Sequence, residues 1–215
     1  MNPVPYMETL RRIAADMGPQ RGFQASLKAL LALLAERHGF LRPHLVIFDP
    51  GTRTLRLCVA GGAPRSEQVV YEPGMGVTGQ VFVTGKPVIV ECLKGHPVFL
   101  SKFFVRTEEE LSSLAFLSVP VLAPQAGWEA GREQARKVIG VLSLDTPCAP
   151  REVLEQHRCF LEVVAGMIAA QAAYLQDDMA RQQRLAERRG ERPHVAGNLD
   201  GGIVAVSPPM CEALQ

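Results

Sequence analysis

Near the start of the chain, apolar residues return every third or fourth position. Met7, Leu10, Ile13, Ala14 and Met17 share one helical face, which Gly18-Pro19 ends. A second stripe follows in Phe23, Leu27, Leu30, Leu31 and Leu34, and Gly39 stops it just after His38. After Pro43 the period changes to two. In HLVIFDPGTRTLRLCVAGG, Asp49-Pro50-Gly51-Thr52 is a turn between antiparallel strands, and Leu55, Leu57 and Val59 share the face opposite Arg56 and Cys58.

The stretch YEPGMGVTGQVFVTGKPVIV, from Tyr71 to Val90, organises the rest. Gly74, Gly76 and Gly79 open a tight corner into a short helix, Gly85 closes it, and Pro87 cannot continue it. Val88 to Val90 then enter a buried strand. Residues 91–113 carry no regular period and form the predicted binding loop, with His96, Lys102, Phe103, Phe104, Arg106 and the acidic run Glu108 to Glu110. Leu114 to Leu122 is almost wholly apolar, as a strand covered on both faces is, and Lys137 to Leu144 alternates around Gly140. Between them, residues 123–136 read as an exposed hairpin excursion in which Trp128 is a loop anchor.

From Arg151 the pattern predicts one long helix. Leu154, Leu161, Val164, Ile168 and Leu175 repeat with a seven-residue alternation, the seam of a coiled coil; the first half of the helix is expected to pack on the sheet, and the second to pair with its partner in a homodimer or to run free as a signalling rod. Beyond Leu175 the apolar content fades into mixed charge, which reads as a solvated helical linker over 176–190. Residues 191–215 are punctuated by Gly, Pro and Asn and read as a poorly ordered tail.

Composition narrows the function. With 215 residues, 47% of them hydrophobic, the chain can bury one good core, and a net charge of +1 gives it no cationic footprint for nucleic acid or anionic lipid. No run approaches a membrane span and the N-terminus has no signal-peptide layout, so the expected location is cytoplasmic, with no membrane partner. Five cysteines (Cys58, Cys92, Cys148, Cys159, Cys211) lie far apart without a C-x-x-C pair, which argues for reduced thiols rather than a disulfide framework or a local metal cage. The five histidines (His38, His44, His96, His157, His194) never fall at ligand spacing. Gly85-Lys86 is followed by Pro87 and so makes no phosphate loop, no G-x-S-x-G elbow occurs, and Cys92 stands without a base or a resolving thiol. The expectation is a protein that is not an enzyme.

The glycine block resembles the Y-x-PGEG-x-x-G-x-V-x-x-TG-x-P-x-x-V signature of GAF domains, in particular those heading NifA, AnfA and VnfA type sigma-54-dependent activators. Four further segments are similar to that subfamily in the same order: HPVFLSKFFVR at 96–106, SSLAFLSVPVL at 112–122, RKVIGVLSLD at 136–145 and RPHVAGN at 192–198. Met75 departs from the family's glutamate, and with Cys58 as the first cysteine an N-terminal cysteine redox centre is not inherited. The resemblance implies an α+β GAF (PAS-like) fold, about six antiparallel strands flanked by helices with a long C-terminal helix. It also implies an N-terminal extension over 1–21, a sensor domain over 22–175, the linker, and a tail leading to an absent ATPase domain. The implied function is regulation of nitrogen-fixation genes by a small effector, 2-oxoglutarate being one such anion, or else a closed interaction module read by a partner regulator.

In the cup beneath the loop, Arg106 and Lys102 supply charge for a small anion and Phe104 closes the wall, with Ser118 and Ser143 able to point hydroxyls inward. The preferred alternative pairs Arg106 with Glu110 on a surface helical turn, and buried hydroxyls at 118 and 143 equally satisfy other polar groups.

Overall fold

The computed structural model describes residues 4–16, 23–64, 69–124 and 136–188. In chain order these form α1 (Val4–Asp16), α2 (Phe23–His38), β1 (Leu41–Asp49), β2 (Thr54–Ala60), β3 (Val70–Tyr71), α3 (Gly76–Thr84), β4 (Val88–Val90), α4 (Glu108–Ser113), β5 (Leu114–Leu122), β6 (Val138–Pro147) and α5 (Arg151–Arg188). The strands pair in one antiparallel sheet of order β3-β2-β1-β6-β5-β4. The tail, Trp128 and most of the 123–136 excursion lie outside the described residues.

Strand alternation splits the interior in two. Ala115, Leu117, Val119 and Val121 of β5 face α2 and α5, joining Leu27, Leu30, Leu31 and Leu34. Phe116 and Val141 turn to the other face, where α3 and the 91–113 loop bring Val77, Val81, Leu93, Phe103 and Phe104. Helices and loop therefore divide between the sheet's faces, and β6 is buried along nearly its whole length rather than alternating.

The glycine corner is built as its residues suggest. Gly85 adopts a left-handed φ of 65° and its N–H reaches the Val81 carbonyl at 2.9 Å, which closes α3. At Gly79 a side chain is excluded by backbone: a Cβ there would lie 2.6 Å from the Glu72 carbonyl oxygen.

The first half of α5 packs on the sheet as expected, and this takes up the apolar stripe read as a coiled-coil seam: Leu154, Leu161, Val164 and Ile168 are fully buried there, with Leu175 packed at the margin of the same core. A seven-residue apolar repeat satisfies a partner helix and a sheet equally well, and here the domain's own β5 takes it. The exposed line of the helix runs instead through Cys159, Val163, Gly166, Ala170 and Tyr174. By length and composition α5 also contains a stretch able to cross a membrane, contrary to the sequence reading, yet its apolar face is the one packed on the sheet.

Candidate effector site

The 91–113 loop is anchored at both ends and in the middle. Leu93 N–H donates to the Leu114 carbonyl (3.1 Å) and Lys94 N–H to the Leu111 carbonyl (2.8 Å), while the Tyr71 hydroxyl donates to the Leu100 carbonyl (2.9 Å). Its far end enters α4 through a capping box: Glu110 N–H donates to Thr107 Oγ1 and Thr107 N–H to Glu110 Oε2. These contacts hold Arg106 above the sheet.

Arg106 does not pair with Glu110. Its Nε and Nη2 each reach a different oxygen of Asp145 on β6 at 2.9 Å, a bidentate fork between side chains 3% and 0% exposed. Arg106 Nη1 donates to Ser101 Oγ (2.8 Å), and the guanidinium lies over the rings of Phe99 and Phe104. Glu110 pairs instead with Arg42, whose Nη1 also donates to Asp145 Oδ2 at 2.9 Å. Two guanidiniums thus converge on one buried carboxylate, and the partly exposed Glu110 completes the neutral set. Burial opposes the Arg42 charge, but the hydrogen bonds of Glu110 and Asp145 prevail and raise its pKa. The Thr107 N–H, then Arg42, lower that of Glu110.

Arg42 reaches this position through an irregularity. Its φ is +48°, and the β1–β6 register shifts between Leu41 and His44. The same turn of backbone lets His44 Nδ1–H donate to the Arg42 carbonyl at 2.9 Å. His44 sits edge-on among Phe103 and Phe104, and burial pushes its pKa down to about 4, which keeps the ring neutral. Together with Arg106, Tyr71, Phe99, Leu100 and Phe116, these rings line a partly open cavity of ≈ 10 Å³, the space of about one water molecule.

This layered sheet with its glycine corner matches a known architecture: the profile of the GAF domain family fits residues 7–172. The chain belongs to the GAF domain family. Its GAF domain is similar to the nitrogen fixation protein VnfA of Azotobacter vinelandii, 26% identical over 99% of this chain, and to a Nif-specific regulatory protein of Azospirillum brasilense, 26% identical over 96%. The chain spans 39% and 32% of those relatives' lengths. In fold it is similar to the A. aeolicus nlh2 GAF domain solved in an inactive state, with TM-score 0.65, 20% identity, and coverage of 80% of this chain and 98% of that one. It also resembles the free methionine-R-sulfoxide reductase of Neisseria meningitidis in complex with its substrate, with TM-score 0.58, 22% identity, and coverage of 83% and 91%.

Within this GAF domain, Phe104 and Arg106 are among the residues lining the cavity, and Lys102, Ser118 and Ser143 are not. Lys102 Nζ donates to the Val70 carbonyl (3.2 Å) and to Met75 Sδ (2.9 Å) and lies over Tyr71, so the residue replacing the family's glutamate is a lysine contact. Ser118 and Ser143 are a cross-strand pair whose hydroxyls bond each other at 2.9 Å, both fully buried. Sequence reasoning passed over Arg42, His44 and Asp145. Asp145 lies in the last third of β6 and His44 in the first half of β1, and neither carries a local signal of pairing with residues so distant in the chain. Cys92 is likewise not alone, because the Cys148 thiol donates to the carbonyl of the adjacent Glu91 at 3.2 Å. Among the described residues no three His, Cys, Asp or Glu side chains gather as metal ligands.

Proposed function

We propose that this GAF domain is the sensory, regulatory part of a sigma-54-dependent activator of nitrogen-fixation genes, which binds a small anionic effector such as 2-oxoglutarate and controls a downstream ATPase domain in the cytoplasm. The observation that carries the reading is the convergence of Arg42 and Arg106 on Asp145, with Glu110 as the one replaceable carboxylate. Glu110 is 33% exposed and Asp145 is 0% exposed. An incoming carboxylate that displaces Glu110 meets two guanidiniums and a single buried counter-charge, a net positive site walled by Phe99 and Phe104. A dicarboxylate is far larger than the present cavity, so its entry requires the 91–113 loop to lift. That movement reaches α5 through Asp145, because β6 runs directly into the helix that begins at Arg151. Occupancy alters output only through such a difference between two arrangements of the domain.

The test is thermal unfolding with and without 2-oxoglutarate. A ligand at a hundred times its Kd stabilises the folded state by about 2.7 kcal/mol, and Arg42→Gln abolishes the shift. A melting temperature that 2-oxoglutarate leaves unchanged in the parent chain rejects this effector.

The ≈ 10 Å³ cavity and the prior neutralisation of Arg106 favour a second reading, a closed module read by a regulator protein or by a second copy of the chain. A melting temperature indifferent to every metabolite supports it. In either case the homodimer is proposed on the exposed line of α5, Val163, Gly166, Ala170 and Tyr174, rather than on the buried stripe.

A further inference from the structure

Two exposed cysteines far apart in sequence meet at one end of the sheet. Cys92 follows β4 and opens the loop, and Cys148 follows β6 just before α5. Because β4 and β6 flank β5, both cysteines emerge against the turn that leads into β5. Cys148 N–H donates to the Ser113 carbonyl at 2.9 Å, and its thiol donates to the Glu91 carbonyl at 3.2 Å, next to Cys92 in the chain. Cys92 Sγ lies 3.8 and 3.9 Å from the carbonyls of Leu111 and Ser112. Both thiols therefore sit on the same short stretch of backbone, Cys148 against the residue before Cys92 and Cys92 against the two residues before Ser113. Across the same gap Arg151 Nη1 holds Glu91 Oε1 at 2.8 Å, which ties the start of α5 to the residue before Cys92.

We propose that Cys92 and Cys148 form a reversible intramolecular disulfide, a redox modification site that clasps the root of the 91–113 loop to the root of α5. The oxidant is a hydroperoxide. The Cys92 thiolate attacks its terminal oxygen: an S–O bond forms, the O–O bond breaks, and the alkoxide leaves with a proton as alcohol. Cys148 then attacks the Cys92 sulfenic sulfur, the S–S bond forms, the S–O bond breaks, and the departing hydroxide takes the Cys148 proton as water. The two sulfurs together lose two electrons and the peroxide gains them. Burial, followed by the neighbouring Cys92, raises the Cys148 pKa, which suits Cys148 to the second role. Cys58 is no competitor, since burial pushes its thiol up to about 12. The disulfide stands independently of any effector in the cup.

The experiment treats the whole chain with hydrogen peroxide, alkylates the remaining thiols, and maps peptides by mass spectrometry without reductant. The expected result is a monomer lighter by two hydrogens, one linked peptide joining Cys92 to Cys148, and recovery of both thiols with dithiothreitol. Cys148→Ser stops at a Cys92 sulfenic acid that dimedone traps, and Cys92→Ser yields no intramolecular link. The parent chain alone decides the matter if a variant fails to fold. Oxidation that leaves no 92–148 peptide, or that joins Cys92 to Cys159, Cys211 or a second chain, overturns the proposal.

Discussion

Arg106 and Asp145 meet fork to fork, Nε on Oδ2 and Nη2 on Oδ1, both at 2.9 Å and both out of water. Removing one partner of such a pair strands the other charge in the interior, at a cost of about 3 to 5 kcal/mol. Asp145→Ala strands two guanidiniums and belongs at the upper end, and Arg106→Ala, which leaves Asp145 with Arg42, at the lower. Arg106→Lys is not a conservative change, because an ammonium cannot reproduce the fork. Urea titration checks the order, and losses below about 1 kcal/mol in all three variants contradict it.

Acid weakens this fold through its histidines. His44 is neutral and buried with a pKa near 4 against 6.5 in an exposed chain, so between these values the unfolded state binds the extra proton. Stability therefore rises with pH across this window, and its His44 part is present above pH 6.5 and lost as pH falls through 4. The shift corresponds to roughly 3 kcal/mol. His38 and His157, both lowered first by burial, act in the same direction. Denaturant unfolding followed from pH 7 to pH 4 gives the slope, and a flat profile contradicts the burial of a neutral His44.

Gly79→Ala sets a methyl against backbone at 2.6 Å, and Gly140→Ala does so at 2.5 Å from the Val46 carbonyl, where no side chain can yield. Each substitution lowers stability by on the order of 2 kcal/mol, read from the urea midpoint. A neutral effect at Gly79 contradicts the close packing of the corner.

The two faces of α5 separate folding from association. Ile168→Lys buries a charge in the sheet-facing core and eliminates the cooperative thermal transition. Val163→Glu combined with Ala170→Glu keeps the transition and reduces the sedimenting species to a monomer. A dimer that survives the double change refutes the exposed line as its interface.

What was legible in the chain was local. Gly74, Gly76 and Gly85 take left-handed dihedrals few other residues allow, Gly79 admits close backbone, and the sheet and its helices follow from periodicity. What was hidden was non-local or ambiguous. Arg42 is 103 residues from Asp145, and only a left-handed residue in a strand irregularity aims it there. Arg106 is one helical turn from Glu110, so sequence spacing favours the pair that does not form, while the buried carboxylate across the sheet offers two oxygens in a dry site. Cys92 and Cys148 converge only because β4 and β6 flank the same strand. On α5 the packing of the first half on the sheet is legible in the apolar repeat, whereas the repeat alone does not tell a sheet from a partner helix.

Hydrogen exchange with and without 2-oxoglutarate tests the central claim most directly. If occupancy of the cup is transmitted through Asp145, amide exchange slows or quickens together in residues 91–113 and in the first turns of α5 from Arg151, and Arg106→Gln removes both changes. Exchange that 2-oxoglutarate leaves unaltered in the loop and the helix, or alters in the loop alone, contradicts it.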